Sequence, residues 1–129
     1  MIVLDTHVFL WFILSDPRLD SSMRVQLEAD PGAVFVPSVC LWESMLLVER
    51  GRLGVEVRDA GVRFMRQIAD CGFVEAPLTA EIAVLSRTLE FQHEDPVDRF
   101  IAATAYALGA KLATSDTRLR KLPWIELAD

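Results

Sequence analysis

A chain of 129 residues has room for one compact domain and none for two ordinary ones. Hydrophobic residues make up 52%, and the mean hydropathy is +0.29, so a sizeable core can be buried and global disorder is excluded. The net charge of −6 argues against a basic, phosphate-neutralising DNA binder. It leaves nucleic acid open as a substrate, because carboxylates can hold a metal that meets the phosphate.

In chain order, the apolar run Met1–Leu4 ends at Asp5 and reads as a buried strand. Val8–Leu14 is apolar on nearly all sides and reads as a buried helix behind Thr6, a possible cap. Ser15-Asp16-Pro17 breaks it, and Arg18–Ala29 has the spacing of an amphipathic helix. After the turn Asp30-Pro31-Gly32, Ala33–Pro37 reads as a second strand. Ser38 is placed to cap a helix over Val39–Arg50, with Gly51 just past its end. A helix over Val57–Ala69, a short strand Phe73–Ala76 and a helix over Thr79–Phe91 follow. After the loop His93-Glu94-Asp95-Pro96, a helix spans Pro96–Leu108 and closes at Gly109. Lys111–Thr114 is a fourth strand, Asp116–Leu122 a short helical piece, and Pro123–Leu127 a last short strand. Strands separated by helices predict a parallel sheet of four to five strands covered on both faces, over the single domain 1–129. The active site of such a fold lies at the carboxyl ends of the strands.

The two cysteines, Cys40 and Cys71, form no CxxC and no Cys/His cluster, which argues against zinc and redox chemistry. They read as ordinary buried thiols. The apolar run at Val8–Leu14 is too short for a membrane span and lacks a basic flank. The expectation is a cytoplasmic, soluble protein with no membrane partner. Trp11, Trp42 and Trp124 read as core or interface bulk.

Most of the acidic residues look like caps, turns and solvated faces, but four sit where a charge is costly. Asp5 ends an apolar strand and precedes an apolar helix. Glu43 has Val39, Cys40, Leu46 and Leu47 as its helical neighbours. Asp98 lies in the first turn after Pro96, where the helix dipole alone would also favour it. Asp116 ends the fourth strand. Gathered at one spot, four carboxylates would repel one another, and a divalent cation would remove that cost. An all-oxygen set selects Mg²⁺ or Mn²⁺ and suits phosphodiester hydrolysis.

The stretches Leu4-Asp5-Thr6-His7, Ser38-x-x-x-Trp42-Glu43, His93-x-Asp95-Pro96-x-Asp98-Arg99 with Ile101-Ala102-Ala103, and Thr114-Ser115-Asp116 occur in this order along the whole chain. With them the chain resembles the PIN-domain family, in particular the VapC-like toxin ribonucleases of toxin–antitoxin systems. The resemblance implies a three-layer α/β/α, flavodoxin-like fold, a Mg²⁺ or Mn²⁺ cofactor, RNA as substrate, a homodimer and a cognate antitoxin that blocks the site. It maps the family's acidic metal site onto Asp5, Glu43, Asp98 and Asp116, with Asp98 favoured over Asp95 as the direct ligand. Thr6, Ser38 and Thr114 are candidates to hydrogen-bond those carboxylates, and Arg99 to contact a carboxylate or phosphate. His7 and His93 read as loop residues.

Two alternatives stand beside this reading. One is a catalytically silent PIN-like binding module. The other is a receiver-type phosphoacceptor domain, which would want an acidic pair after the first strand where this chain has Asp5-Thr6.

Overall fold

The computed structural model describes residues 1–92 and 94–129. His93 therefore lies outside the described residues. Among them are four strands, β1 (Ile2–Leu4), β2 (Val34–Pro37), β3 (Val74–Ala76) and β4 (Lys111–Ala113). The helices are α1 (Thr6–Ile13), α2 (Ser21–Ala29), α3 (Ser38–Glu49), α4 (Val57–Cys71), α5 (Ala80–Thr88), α6 (Pro96–Leu108) and α7 (Thr117–Arg120).

All strand pairs are parallel, in the order β3-β2-β1-β4. Successive residues of a strand face opposite sides of a sheet. Val3 and Leu4 are both buried, as are Leu112 and Ala113, so both faces of the central strands are covered. That is the signature of a three-layer α/β/α architecture. Phe9, Leu27, Ile101 and Leu119 lie fully inside and anchor the helices to the sheet. No helix among the described residues is long and apolar enough to cross a membrane.

The expected fifth strand is absent among the described residues. Pro123 has no N–H to give a ladder, and the Trp124 indole is turned away to donate to the Glu90 carbonyl at 2.8 Å. Only one parallel bridge, Leu112 to Leu127, survives beside β4. Several helix ends also differ from the sequence expectation. Asp5, not Thr6, takes the cap position of α1, so that helix begins at Thr6. α2 starts at Ser21 because the Asp20 carboxylate accepts the Ser22 N–H at 2.8 Å. α5 stops at Thr88, which frees Phe91 to pack edge-on against Trp124 at 5.2 Å. α6 has the expected bounds, fixed by the Asp95 cap, Pro96 in the first turn and Gly109 in the left-handed conformation at φ 62°.

The chain runs from β1 outward to β3, then returns to place β4 on the other side of β1. The reversal puts a topological switch point between β1 and β4. There the flanking connections leave in opposite directions and open a crevice at the strand carboxyl ends.

Candidate active site

Asp5 and Asp116 stand at that crevice, one just past each of the two strands. The Asp5 backbone N–H continues the sheet by donating to the Ala113 carbonyl at 3.0 Å. Its side chain is only 4% exposed with its residue and accepts twice, from the Thr6 N–H at 2.7 Å and from the Thr114 hydroxyl at 2.5 Å. The Thr114 oxygen in turn accepts the Asp116 N–H at 3.0 Å. One hydroxyl thus locks the two strand-end acids to each other. The Asp116 carboxylate caps α7, accepting from the Arg118 and Leu119 N–H groups at 2.8 and 3.1 Å.

The other acids arrive on helices. Asp98 is 8% exposed in the first turn of α6, and Glu43 is half-buried on α3. Asp5, Glu43, Asp98 and Asp116 line one cleft of about 230 Å³, together with His7, Asp95, Ser115 and Arg118. The convergence expected from sequence is therefore realised.

Burial pushes the Asp98 carboxyl up to about 7, reinforced by Asp95, Asp5, Asp116 and Glu43. Burial also raises Asp5, against the opposing pull of the Thr114 and Thr6 hydrogen bonds. Glu43 is raised by burial, pulled back by the neighbouring Thr6 side chain, and raised again by Asp5 and Asp95. For Asp116, burial is outweighed by the Leu119 and Arg118 N–H groups and the Arg118 guanidinium, and its carboxyl is held below its usual range. Three of four acids thus resist ionisation in the absence of a cation.

The remaining candidates separate into those that support the cleft and those that do not. Asp95 lines it but is committed to α6, accepting the Val97 and Asp98 N–H groups at 3.0 and 3.3 Å. Thr6 Oγ is fully buried and has no hydrogen-bond partner among the described residues, so its influence on Glu43 is electrostatic and short of hydrogen-bond geometry. Ser38 neither caps α3 nor reaches the cleft. Its hydroxyl donates toward Glu75 Oε1 at 3.2 Å and the Ala76 carbonyl at 3.4 Å, tying α3 to β3.

Arg99 is buried and turned away from the cleft. It donates to the Ser86 carbonyl at 2.7 Å and to Glu94 at 3.2 Å, and its guanidinium lies 4.5 Å from the centre of the Phe91 ring. It fastens α5 to α6. Arg99→Met is accordingly expected to cost about 1.5–3 kcal/mol of unfolding free energy in a urea titration. A variant as stable as the parent would contradict that role.

Trp11 and Trp124 pack as bulk, whereas Trp42 is 60% exposed, one residue before Glu43. Cys40 is fully buried and Cys71 partly so, and neither is paired. Sequence reasoning passed over Arg118, whose Nη2 lies 3.5 Å from both Asp98 Oδ2 and Asp116 Oδ2. An arginine in a short exposed helix gives no signal of that kind.

The donor set fits a hard divalent cation. It is dominated by carboxylate oxygens, with His7 the one imidazole among the described residues of the lining, and burial holds the Cys40 thiol well above its usual value, so no thiolate competes. Among the described residues no three ligating side chains are drawn close enough to share one ion as they stand. Mutual repulsion and the wedge of Arg118 oppose such closure.

A sequence profile of the PIN domain matches residues 2–125. A search of curated proteins found no match. Solved structures that share the fold include the following three. FitAcB from Neisseria gonorrhoeae is 21% identical with a TM-score of 0.71, covering 100% of this chain and 97% of that one. VapBC2 from Rickettsia felis, bound to a DNA fragment from its promoter, is 18% identical with a TM-score of 0.70, covering 99% and 98%. VapC20 of Mycobacterium tuberculosis, a Sarcin-Ricin loop cleaving toxin, is 20% identical with a TM-score of 0.67, covering 100% of both chains. With the profile spanning nearly its whole length, this chain belongs to the PIN-domain family.

Proposed function

We propose that the protein is a metal-dependent endoribonuclease and the toxin of a toxin–antitoxin pair. One observation carries the reading. Four carboxylates from two strand ends and two helices line a single cleft, and the Asp98 carboxyl is held up to about 7 there. Buried like charges are costly to fold, so their presence together favours a site that meets a cation.

Asp5 and Asp98 would hold Mg²⁺ or Mn²⁺ most directly, with Glu43 and Asp116 completing the set. The ion would neutralise the scissile phosphate and make an attacking water more acidic. The chain's own contribution is orientation. Thr114 fixes the rotamer of Asp5 and the backbone of Asp116, so the two acids keep their separation as RNA enters. Asp95 holds the first turn of α6, which aims Asp98. A cognate antitoxin would meet this acidic cleft with cationic side chains. The homodimer follows from the family resemblance and the cytoplasmic location from the unpaired cysteines and the short apolar run at Val8–Leu14, and both belong to the same proposal.

The test is cleavage of a panel of tRNA, rRNA and messenger fragments with Mg²⁺ or Mn²⁺, and again with EDTA. Cleavage confined to the metal arm is expected. Equal cleavage in EDTA would overturn the metal reading. A folded protein that cleaves no RNA under any condition would leave the silent binding module in its place.

A further inference from the structure

The guanidinium of Arg118 sits between two of the four acids. Its Nη2 lies 3.5 Å from Asp98 Oδ2 and 3.5 Å from Asp116 Oδ2. Its backbone is fixed, since its N–H donates to Asp116 Oδ1 at 2.8 Å. Its side chain is not packed, being 55% exposed. Long contacts from an exposed side chain of this kind hold it only weakly.

Other arginines nearby are tied differently. Arg18 is gripped by both oxygens of Asp16 at 2.7–3.2 Å. Arg120 donates to the Thr114 carbonyl at 2.8 Å and to Asp129 at 2.9 Å. Arg99 is buried. Among the described residues lining the acidic cleft, Arg118 supplies the guanidinium, and it is held loosely.

A single positive charge and a divalent cation would compete for the same carboxylate oxygens. The dication has the larger Coulomb attraction for the cluster. Once displaced, the guanidinium stays at the cleft mouth because its backbone is pinned to Asp116. Its planar fork then matches two phosphate oxygens. We propose that Arg118 is an exchanging cation, neutralising Asp98 and Asp116 in the free protein and clamping a phosphate of the RNA strand once metal takes its place. This rests on the nuclease reading and adds a substrate-binding residue to it.

The experiment measures two affinities in the wild type, Arg118→Ala and Arg118→Lys. Mn²⁺ binding without RNA is followed by electron paramagnetic resonance. Binding of a short RNA is followed in Mg²⁺ over a salt series by stopped-flow mixing, at times shorter than cleavage. Arg118→Ala should bind Mn²⁺ about three- to fivefold more tightly, because roughly 1 kcal/mol of competing ion pairing is gone. The same variant should bind the RNA about fivefold or more weakly, with a salt slope lower by about one phosphate contact. Arg118→Lys should keep the metal competition and recover the RNA affinity only in part, because an ammonium lacks the fork. Unchanged or weaker Mn²⁺ binding by Arg118→Ala, or an unchanged RNA salt slope, overturns the inference while the nuclease reading stands. A wild type that binds no Mn²⁺ overturns both.

Discussion

Asp98→Asn and Asp5→Asn are each expected to lower RNA cleavage by about three orders of magnitude or more, from loss of roughly 4 kcal/mol of transition-state stabilisation. The same variants should stay folded, and without metal should be no less stable than the parent. The second half follows from the direction of the proton affinities. Burial and neighbouring carboxylates raise both groups, so in the metal-free protein their charge opposes folding. An amide of the same shape removes that charge. At position 5 the asparagine oxygen still accepts the Thr6 N–H. The Thr114 hydroxyl, with two lone pairs, can accept from the new amide while keeping the Asp116 N–H. Cleavage assays paired with thermal melts check both halves. Activity within about tenfold of the parent would remove these two acids from the site. Loss of activity with unfolding would reassign them to structure.

The acids were legible because each breaks a local rule. Asp5 stops an apolar strand, Glu43 interrupts an apolar helix face, and Asp98 and Asp116 stand just past a proline and a strand end. α6 was legible to the residue because its cap, proline and terminal glycine act within the first and last turns. What sequence could not give was set by contacts distant in the chain. A serine following Pro37 reads as a cap, yet the Ser38 hydroxyl is claimed by Glu75 and Ala76 across the sheet. Arg99 reads as a contact for a carboxylate or phosphate of the site, yet its bonds to Ser86 and Glu94 and its place against Phe91 hold it between α5 and α6. The fifth strand failed because Trp124 found an acceptor and two aromatic partners, Phe91 and Tyr106, away from the sheet. Arg118 was invisible for a related reason. Its meaning depends on Asp98, which a separate helix brings to it.

In EDTA, the melting temperature is expected to fall as pH rises from about 5 to 8, and saturating Mn²⁺ is expected to reverse that slope. The sign comes from Asp98, whose carboxyl is raised from 3.8 to about 7 in the folded protein. The folded state therefore binds the proton more tightly than the unfolded chain. The stabilisation is complete below about 4 and is lost as pH rises through about 7. Asp5 and Glu43 are raised as well and act in the same direction. Asp16, Asp20 and Asp116 are lowered, so their stabilisation is lost only on acidification below the usual carboxylate range, and they leave the window from 5 to 8 untouched. Metal binds the ionised carboxylates, so its stabilisation grows with pH. At about one hundred times its dissociation constant the ion adds about 2.7 kcal/mol, a rise on the order of 10 °C for a domain of this size. Melts of the wild type and Asp98→Asn across that range, with EDTA and with Mn²⁺, separate the contributions. The variant should show a flatter slope in EDTA and a smaller response to Mn²⁺. A wild type whose melting temperature is level from pH 5 to 8 in EDTA, or a variant with the parent's slope, would show that the charge on Asp98 is not held at a cost.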